Sequence, residues 1–351
     1  MHMADALLAP GVAAVMIAAS GTAAGLSIRD LRRDDAAAKL PTMAVTAALV
    51  FAGQMINYTI PGTGSSGHLC GGMLLSALLG PQAGFLSMIV VLVTQCLFFA
   101  DGGLLALGAN IWNMAFYGCF VGYYLIWRPI MRSRLFSGLG DRGGSRARIA
   151  LASILGCVIT LRLGALSVVI ETTASGITEL PFGAFAGIML PIHLAIGLVE
   201  GLITTAVLLF VHETRPELLM DAGDAQAGAS RWTLRSTLVT LAVVAALVGG
   251  VLSLAASGNP DGLEWSIFGN ADGGYSANMG LDEEAYGVSS AAADAAEAIQ
   301  EKTAFLPDYA FADSESPAGT TVSGLLGSAI VAALAVALCA LGGFFRRRRK
   351  A

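Results

Sequence analysis

The sequence predicts an all-α integral membrane protein: a seven-helix bundle followed by two further transmembrane helices that flank an outer acidic segment. Three observations carry that expectation. Of the 351 residues, 55% are hydrophobic and only 13% charged, and the mean hydropathy is +0.70, a composition of membrane proteins. Apolar runs of the roughly 20 residues needed to cross a hydrocarbon core of about 30 Å recur along the chain. Lys and Arg gather in alternate connections, as they do in cytoplasmic loops.

Taken in order, Met1 to Pro10 lacks the basic start of a cleavable signal peptide, so a free Met1 amine is expected in the mature protein. The first span, 11–28, carries the small-residue seam Gly21-x-x-x-Gly25 and ends in Arg29, Arg32, Arg33 and Lys39. A second span, 41–60, leads to a Gly/Ser turn that holds His68 and no basic residue. The apolar stretch 68–100 is too long for one untilted crossing and breaks at Gly80-Pro81, because a residue before proline is pushed out of helix; it reads as two spans. After Asp101-Gly102-Gly103 comes the fifth span, 104–127, with Asn110 and Asn113, then a loop with Arg128, Arg132, Arg134, Arg142, Arg146 and Arg148. The sixth span, 149–170, contains Arg162 and finishes at Glu171; the seventh, 182–211, contains His193 and Glu200.

Arg215, Arg231 and Arg235 then mark a linker, followed by a span at 236–256, a polar segment 257–319 and a last span at 322–345 closed by Arg346 to Lys350. The domains expected are therefore a membrane domain at 1–212, a cytoplasmic linker at 213–235 and a second module at 236–351. With two spans in 68–100, the basic loops after spans 1, 5 and 7 share one side, which puts the N-terminus and His68 outside and the C-terminus in the cytoplasm. Segment 257–319 holds twelve Asp or Glu against the single Lys302. It is either a solvated acidic loop or a surface that concentrates cations, and its Ala-rich middle, 285–302, can form a short helix.

The chemistry begins at Met1-His2. An α-amine, the His2 backbone nitrogen and the His2 imidazole can close two adjacent small rings on one ion, a nitrogen set suited to Ni(II), Cu(II) or Co(II) and not to Mg or Ca. His68 is the candidate for the remaining position, since the chain has only four histidines. The competing reading makes His2 an accident of sequence and His68 a polar helix cap. His193 and Glu200, seven residues apart, share nearly one helix face, and an internal network with Arg162 is expected for them ahead of metal ligation. The cysteines show no C-x-x-C spacing and read as small apolar packers, with Cys70 set apart only by lying two residues from His68. No phosphate loop of the G-x-x-x-x-G-K-[ST] type occurs, so the chain is expected to bind and not to hydrolyse.

Met1-His2, Gly67-His68-Leu69-Cys70-Gly71-Gly72, Gln95 to Phe99 with Asp101-Gly102-Gly103, Asn110-x-x-Asn113-Met114 and His193-x-x-x-Gly197-x-x-Glu200-Gly201, in that order, resemble CbiM/NikM. These are the substrate-capture (S) components of energy-coupling-factor transporters for cobalt or nickel. Asn259-Pro260-Asp261-Gly262-Leu263-Glu264 resembles the PDGLE module, counterpart of the accessory subunit CbiN/NikN, here in the same chain. Family members usually continue Met-His-Ile-Pro-Asp-Gly, where this chain has Met3-Ala4-Asp5-Ala6. The resemblance implies a seven-helix S-component bundle and an ion held by the Met1 amine, the His2 backbone and ring nitrogens and a His68 ring nitrogen. Around them, Asn110 and Asn113 either orient the imidazoles or hydrogen-bond between helices, with His193 and Glu200 nearby.

It further implies no catalysis and no resident cofactor, Co2+ or Ni2+ as transported substrate, and a prokaryotic plasma membrane. The partners implied are a transmembrane coupling protein and cytoplasmic ATPases, with no role for nucleic acid. Small-residue seams at Gly118/Gly122, Gly183/Gly187 and Gly197/Gly201 are available for helix contacts. Two other classes stay open from the residues alone: an ion-gradient-coupled divalent metal transporter with a Glu200/Arg162/Glu171 relay, and an intramembrane metalloenzyme, for which no H-E-x-x-H exists.

Overall fold

The computed structural model describes residues 1–31, 36–222, 232–271, 273–274, 279–281, 286–311 and 316–348. Its elements are α1 (Pro10–Leu31), α2 (Ala36–Gln54), β1 (Tyr58–Ile60), β2 (Ser65–Gly67), α3 (Gly72–Leu79) and α4 (Pro81–Phe99). A continuous helix α5 then joins Leu107–Asn110, a π-wound stretch Ile111–Trp127 and Arg128–Met131. It is followed by α6 (Gly140–Ala174), α7 (Phe182–Thr214), α8 (Leu234–Gly250), α9 (Gly262–Phe268), α10 (Ala291–Thr303) and α11 (Ala318–Arg348). Five helices, α1, α4, α6, α7 and α11, contain stretches long and apolar enough to cross a membrane, and α8 is a shorter apolar helix. Large apolar side chains face outward on several of them, among them Val15, Leu202, Val243, Leu247 and Leu325, as lipid-facing surfaces require.

Two expectations are corrected. The second span does not run to Ile60: the helix stops at Gln54, and the β-branched and aromatic run Tyr58-Thr59-Ile60 pairs antiparallel with Ser65–Gly67, Tyr58 opposite Gly67. The turn between them uses Gly62 and Gly64 at φ +76° and +74°, so the fold is not purely helical. Nor does 68–100 form two complete spans, because α3 has only eight residues, about 12 Å at 1.5 Å per residue. The break at Gly80-Pro81 is where the sequence puts it, with Gly80 at φ +83° and Pro81 opening α4. The β1–β2 hairpin and the turn 68–71 precede α3.

The two ends of the bundle differ in charge. At one end Lys39 Nζ donates to Leu79 O (3.4 Å), Arg132 Nε donates to Asp221 (2.8 Å) and Arg146 pairs with Glu213 (2.7 Å). Arg32, Arg33, Arg231, Arg349 and Lys350, which belong to the same basic set, lie outside the described residues. At the other end sit the N-terminal leader, the β-hairpin, the 101–103 turn, α9 and α10. The C-terminal helices pack on α2: the Gly249 and Gly324 backbones touch, Thr321 Oγ1 donates to Gly250 O (2.8 Å), and Gly327 lies against Phe51 and Phe99. Of the small-residue seams, Gly118 faces Gly72, and Gly197 and Gly201 face Val158 and Ile154 on α6, so these are consumed inside the bundle. Gly21, Gly25, Gly183 and Gly187 face open space.

Candidate metal centre

The leader folds back into the end of the bundle that is remote from Lys39, Arg132 and Arg146. Met3 is wholly buried; its N–H donates to Asn110 Oδ1 (2.8 Å), and its carbonyl accepts from Asn110 Nδ2 (3.2 Å) and Gly103 N (2.9 Å). Asp5 Oδ1 accepts from Ala106 N (2.9 Å), which seats the short turn Asp5–Leu7 where the family pattern is left. Gly102 has φ +79°, and a Cβ there would lie 2.8 Å from Asn110 Nδ2 and 3.3 Å from His2 Cβ, so only glycine fits beneath the leader. Asn110 therefore grips the leader backbone at Met3.

This clamp brings the sequence-predicted donors to one place. The His2 and His68 rings stack with centroids 5.4 Å apart and planes 20° from parallel. The Met1 amine donates to Asp261 Oδ2 at 2.8 Å, and His68 Nε2 lies 4.0 Å from the same oxygen. His68 Nδ1 is 3.0 Å from Leu69 O, which leaves Nε2 as its free donor atom. His2 Nδ1 lies 3.1 Å from Asp101 Oδ1, and the Gln95 side chain is a hydrogen-bond partner of the same ring. The donors are grouped without converging, and no cluster of three His, Cys, Asp or Glu able to hold a metal exists among the described residues.

Asp261 is built into the site by its local sequence. In Asp261-Gly262-Leu263-Glu264 the aspartate caps α9: Oδ1 accepts from Leu263 N (2.7 Å) and Glu264 N (2.9 Å), and Glu264 accepts from Asp261 N (3.2 Å). This reciprocal capping box fixes the carboxylate and leaves Oδ2 for the amine. The turn is docked by Ser66, whose N–H donates to Pro260 O (2.8 Å) and whose hydroxyl donates to Asn259 O (2.8 Å). Gly262 packs on His193 and Ile196, where a Cβ would come 3.1 Å from His193 Cε1.

Electrostatics follow from burial and this carboxylate. Burial pulls the Met1 amine down, but the charge and hydrogen bond of Asp261 outweigh it, so the amine titrates above its usual 8.0. Burial lowers His2 in spite of Asp101, and burial, the amine and His2 together push His68 down to about 4. Asp261 itself, though burial opposes it, is held below the usual carboxylate range by the amine and His68. Its charge, with burial, raises Glu264 to about 7.

The other predicted residues lie deeper. Asn113 Nδ2 donates to Glu171 Oε2 (2.8 Å) and lies 3.6 Å from Met3 Sδ. His193 Nδ1 is 2.8 Å from Met189 O, and its buried Nε2 has no partner among the described residues. Glu200 accepts from the backbone of Cys70 (2.9 Å) and of Gly71 (3.0 Å), a glycine at φ +87°, and so fixes the turn that carries His68. The expected network with Arg162 is corrected: Arg162 is exposed and has no described ion pair or hydrogen bond. On α6 the buried face is Cys157, Leu161, Ala165 and Val168, and position 162 falls off that stripe. The Cys70 thiol donates to Met114 O (3.1 Å), a packing role.

Asp101 and Asp261 were not among the predicted site residues. The signal for both was present, as an Asp-Gly-Gly turn and a capping box, but what assigns them to the site is contact across the fold, 260 residues apart for Met1 and Asp261.

A many-helix membrane bundle with nitrogen donors grouped at one end defines a membrane transport protein for a metal ion, and comparison with known proteins agrees. The family model described as "Cobalt uptake substrate-specific transmembrane region" matches residues 2–218, and the PDGLE domain model matches 235–342. The chain is 35% identical over 343 residues to a "Putative fused nickel transport protein NikMN" of Archaeoglobus fulgidus, covering 96% of this chain and 98% of that one. It is 31% identical over 224 residues to a "Cobalt transport protein CbiM" of Sorangium cellulosum, covering 62% of this chain and 94% of that one. A solved structure described as a truncated transition metal transporter superposes with TM-score 0.52 at 31% identity, covering 61% of this chain and 99% of that one. The chain belongs to the CbiM family: it is a multi-pass cobalt/nickel transport membrane protein of CbiM type with a PDGLE module in the same chain.

Proposed function

We propose that the chain is the substrate-binding membrane component of an ATP-driven energy-coupling-factor importer for Co2+ or Ni2+. It takes the ion from outside through the Met1 amine, the backbone and ring nitrogens of His2 and the His68 ring. The observation that carries this reading is the grouping of Met1, His2 and His68 at the end of the bundle remote from Lys39, Arg132 and Arg146. By the positive-inside rule that end is outside, with seven passages in the CbiM part, the hairpin and α3 together making the third, and two in the PDGLE part. Loading then requires three changes. The amine gives up a proton to solvent and leaves Asp261; the His2 ring leaves Asp101 with its proton carried on Nε2; and the His2 backbone N–H loses its proton to solvent as the ion binds, so that all three nitrogens present lone pairs. Energy comes from a coupling membrane protein and cytoplasmic ATPases, because the chain has no phosphate loop of its own.

The gradient-coupled alternative is disfavoured by the separation of its relay: Arg162 is exposed, Glu200 is bound to backbone N–H groups, and Glu171 is paired with Asn113. The test of the donor set is metal titration of the wild type, of His68→Ala and of a variant with one alanine inserted between Met1 and His2. The insertion preserves both imidazoles but displaces the amine and changes the ring it closes. Loss of most affinity in both variants is expected; equal affinity in wild type and insertion variant would remove the amine from the site.

A further inference from the structure

The PDGLE part reaches the donors at a second place. After α10 the chain turns through Pro307–Tyr309, where Asp308 and Tyr309 stand at φ +50° and +59°. Two successive non-glycine residues in the left-handed region are costly, and they persist only where the surroundings hold them. The surroundings here are the C-terminal end of α4. Leu306 is buried and its N–H donates to Phe98 O (3.3 Å), while the Tyr309 ring stacks on Phe99 with centroids 4.9 Å apart and has Phe51 at its edge.

What this turn places is a hydroxyl. Tyr309 donates to Asp101 Oδ2 (2.5 Å), a charge-assisted bond, and accepts from Gln95 Nε2 (3.2 Å). Both partners reach the His2 ring: Asp101 Oδ1 lies 3.1 Å from His2 Nδ1, and Gln95 hydrogen-bonds the same ring. With Gln95 Nε2 taken by the tyrosine, the amide offers the ring its oxygen, an acceptor. The two side chains that grip the imidazole are thus both held by one phenol of the other module. Docking alone does not call for that oxygen, since a phenylalanine would fill the same aromatic seat. What the hydroxyl adds is a donor to Asp101 and an acceptor for Gln95.

We infer that Tyr309 is a positioning residue for the metal centre: it fixes Asp101 and Gln95, and through them the angle at which the His2 ring meets the ion. The inference rests on the proposed donor set. When the ring turns Nδ1 from Asp101 to the ion, the Tyr309 hydroxyl stays on Oδ2, so the carboxylate keeps a partner. The Gln95 oxygen stays as acceptor for the ring's Nε2–H. Without the hydroxyl, Asp101 and Gln95 are free to swing, and the ring loses the preorganisation on which affinity depends.

The test removes only the oxygen. In the purified full chain, Tyr309→Phe should lower Ni2+ affinity about tenfold, the scale of a hydrogen bond to a charged group. The d–d absorption spectrum at saturation should not change, because the donors are the same. Combined with Asp101→Ala/Gln95→Ala, the same substitution should cost nothing further, whereas a residue that only seats the module would weaken binding equally in both backgrounds. Nitrogen NMR of isotope-labelled imidazoles in the metal-free chain, with His2 assigned by its loss in His2→Ala, gives a second readout: Tyr309→Phe should move the His2 signals and leave those of His193 in place. Unmoved His2 signals, unchanged Ni2+ affinity, or an equal loss in both backgrounds would each overturn the role. Failure of the donor set shows separately, as normal Ni2+ affinity in His68→Ala, and the His2 signals of the metal-free chain then still decide whether Tyr309 holds that ring.

Discussion

Two side chains hold the N-terminal leader, and they do so by different physics. Asn110 belongs to the CbiM part; it is neutral and buried, and it satisfies both the N–H and the carbonyl of Met3. Asp261 belongs to the PDGLE part and holds the amine by charge. The first grip uses groups outside the proposed donor set, so it can persist while the ion comes and goes. The second uses the amine proposed as a donor, so in the proposed function it must be surrendered. The leader is thus anchored by one module and tensioned by the other, and substitutions at the two positions should have opposite effects on affinity.

The largest effect is expected at Asn110. Asn110→Ala leaves the buried Met3 N–H without its acceptor, and an unsatisfied buried group costs roughly 1–3 kcal/mol. The leader then leaves its seat, and metal affinity should fall about a hundredfold while the bundle, measured by thermal unfolding, stays assembled. Asn110→Asp keeps an acceptor but not the donor to Met3 O, and should recover only part of the loss. Retention of full affinity in Asn110→Ala would show that the leader is placed by its donors and not by this clamp.

Asp261→Asn should act in the opposite direction and more weakly. Asp261 raises the amine's pKa against the lowering effect of burial. Without that charge the amine deprotonates at lower pH, and proton competition with the metal weakens. Apparent affinity at pH 7 should therefore rise, by about tenfold for each pH unit that the amine drops, and the gap to wild type should narrow as pH rises through the amine's raised pKa. His68, pushed down to about 4, is neutral throughout that window and contributes nothing to the slope. Uptake by the assembled transporter should fall all the same, and deletion beyond Arg235 should reduce uptake more than binding. A parallel loss of both would make Asp261 a ligand and not a competitor.

The sequence reveals one half of this comparison more fully than the other. Met1, His2 and His68 are legible as candidate donors because rare residue types stand in a chelating pattern, and the difference in charge between the two ends of the bundle is legible because Lys and Arg alternate between loops. Asn110 is legible as a residue but not in its role, since an asparagine inside an apolar helix says only that it will find a partner. The hairpin hides because Tyr58-Thr59-Ile60 is as apolar as the helix before it, and α3 hides because hydropathy measures length along the chain and not depth reached. Asp261 is legible as a helix cap; that its second oxygen reaches the chain terminus depends on how two modules dock on the common wall of α2.

Arg162 gives the smallest expected effect and the sharpest test of mechanism class. An arginine at membrane depth is costly unless it works or reaches water along its own alkyl stem. In a gradient-coupled carrier it would work, and Arg162→Gln would abolish uptake as surely as loss of Glu200. Here it projects off the packed face of α6 and has no described partner, while Glu200 is engaged by the Cys70 and Gly71 N–H groups. Arg162→Gln should therefore leave metal affinity unchanged and uptake within about twofold, as surface substitutions usually do. Glu200→Ala should release the turn before α3 and weaken binding through misplacement of His68. The two variants measured together separate a carboxylate that positions a ligand from one that relays protons: equal, severe loss of uptake in both, with metal binding intact, would return the relay to first place.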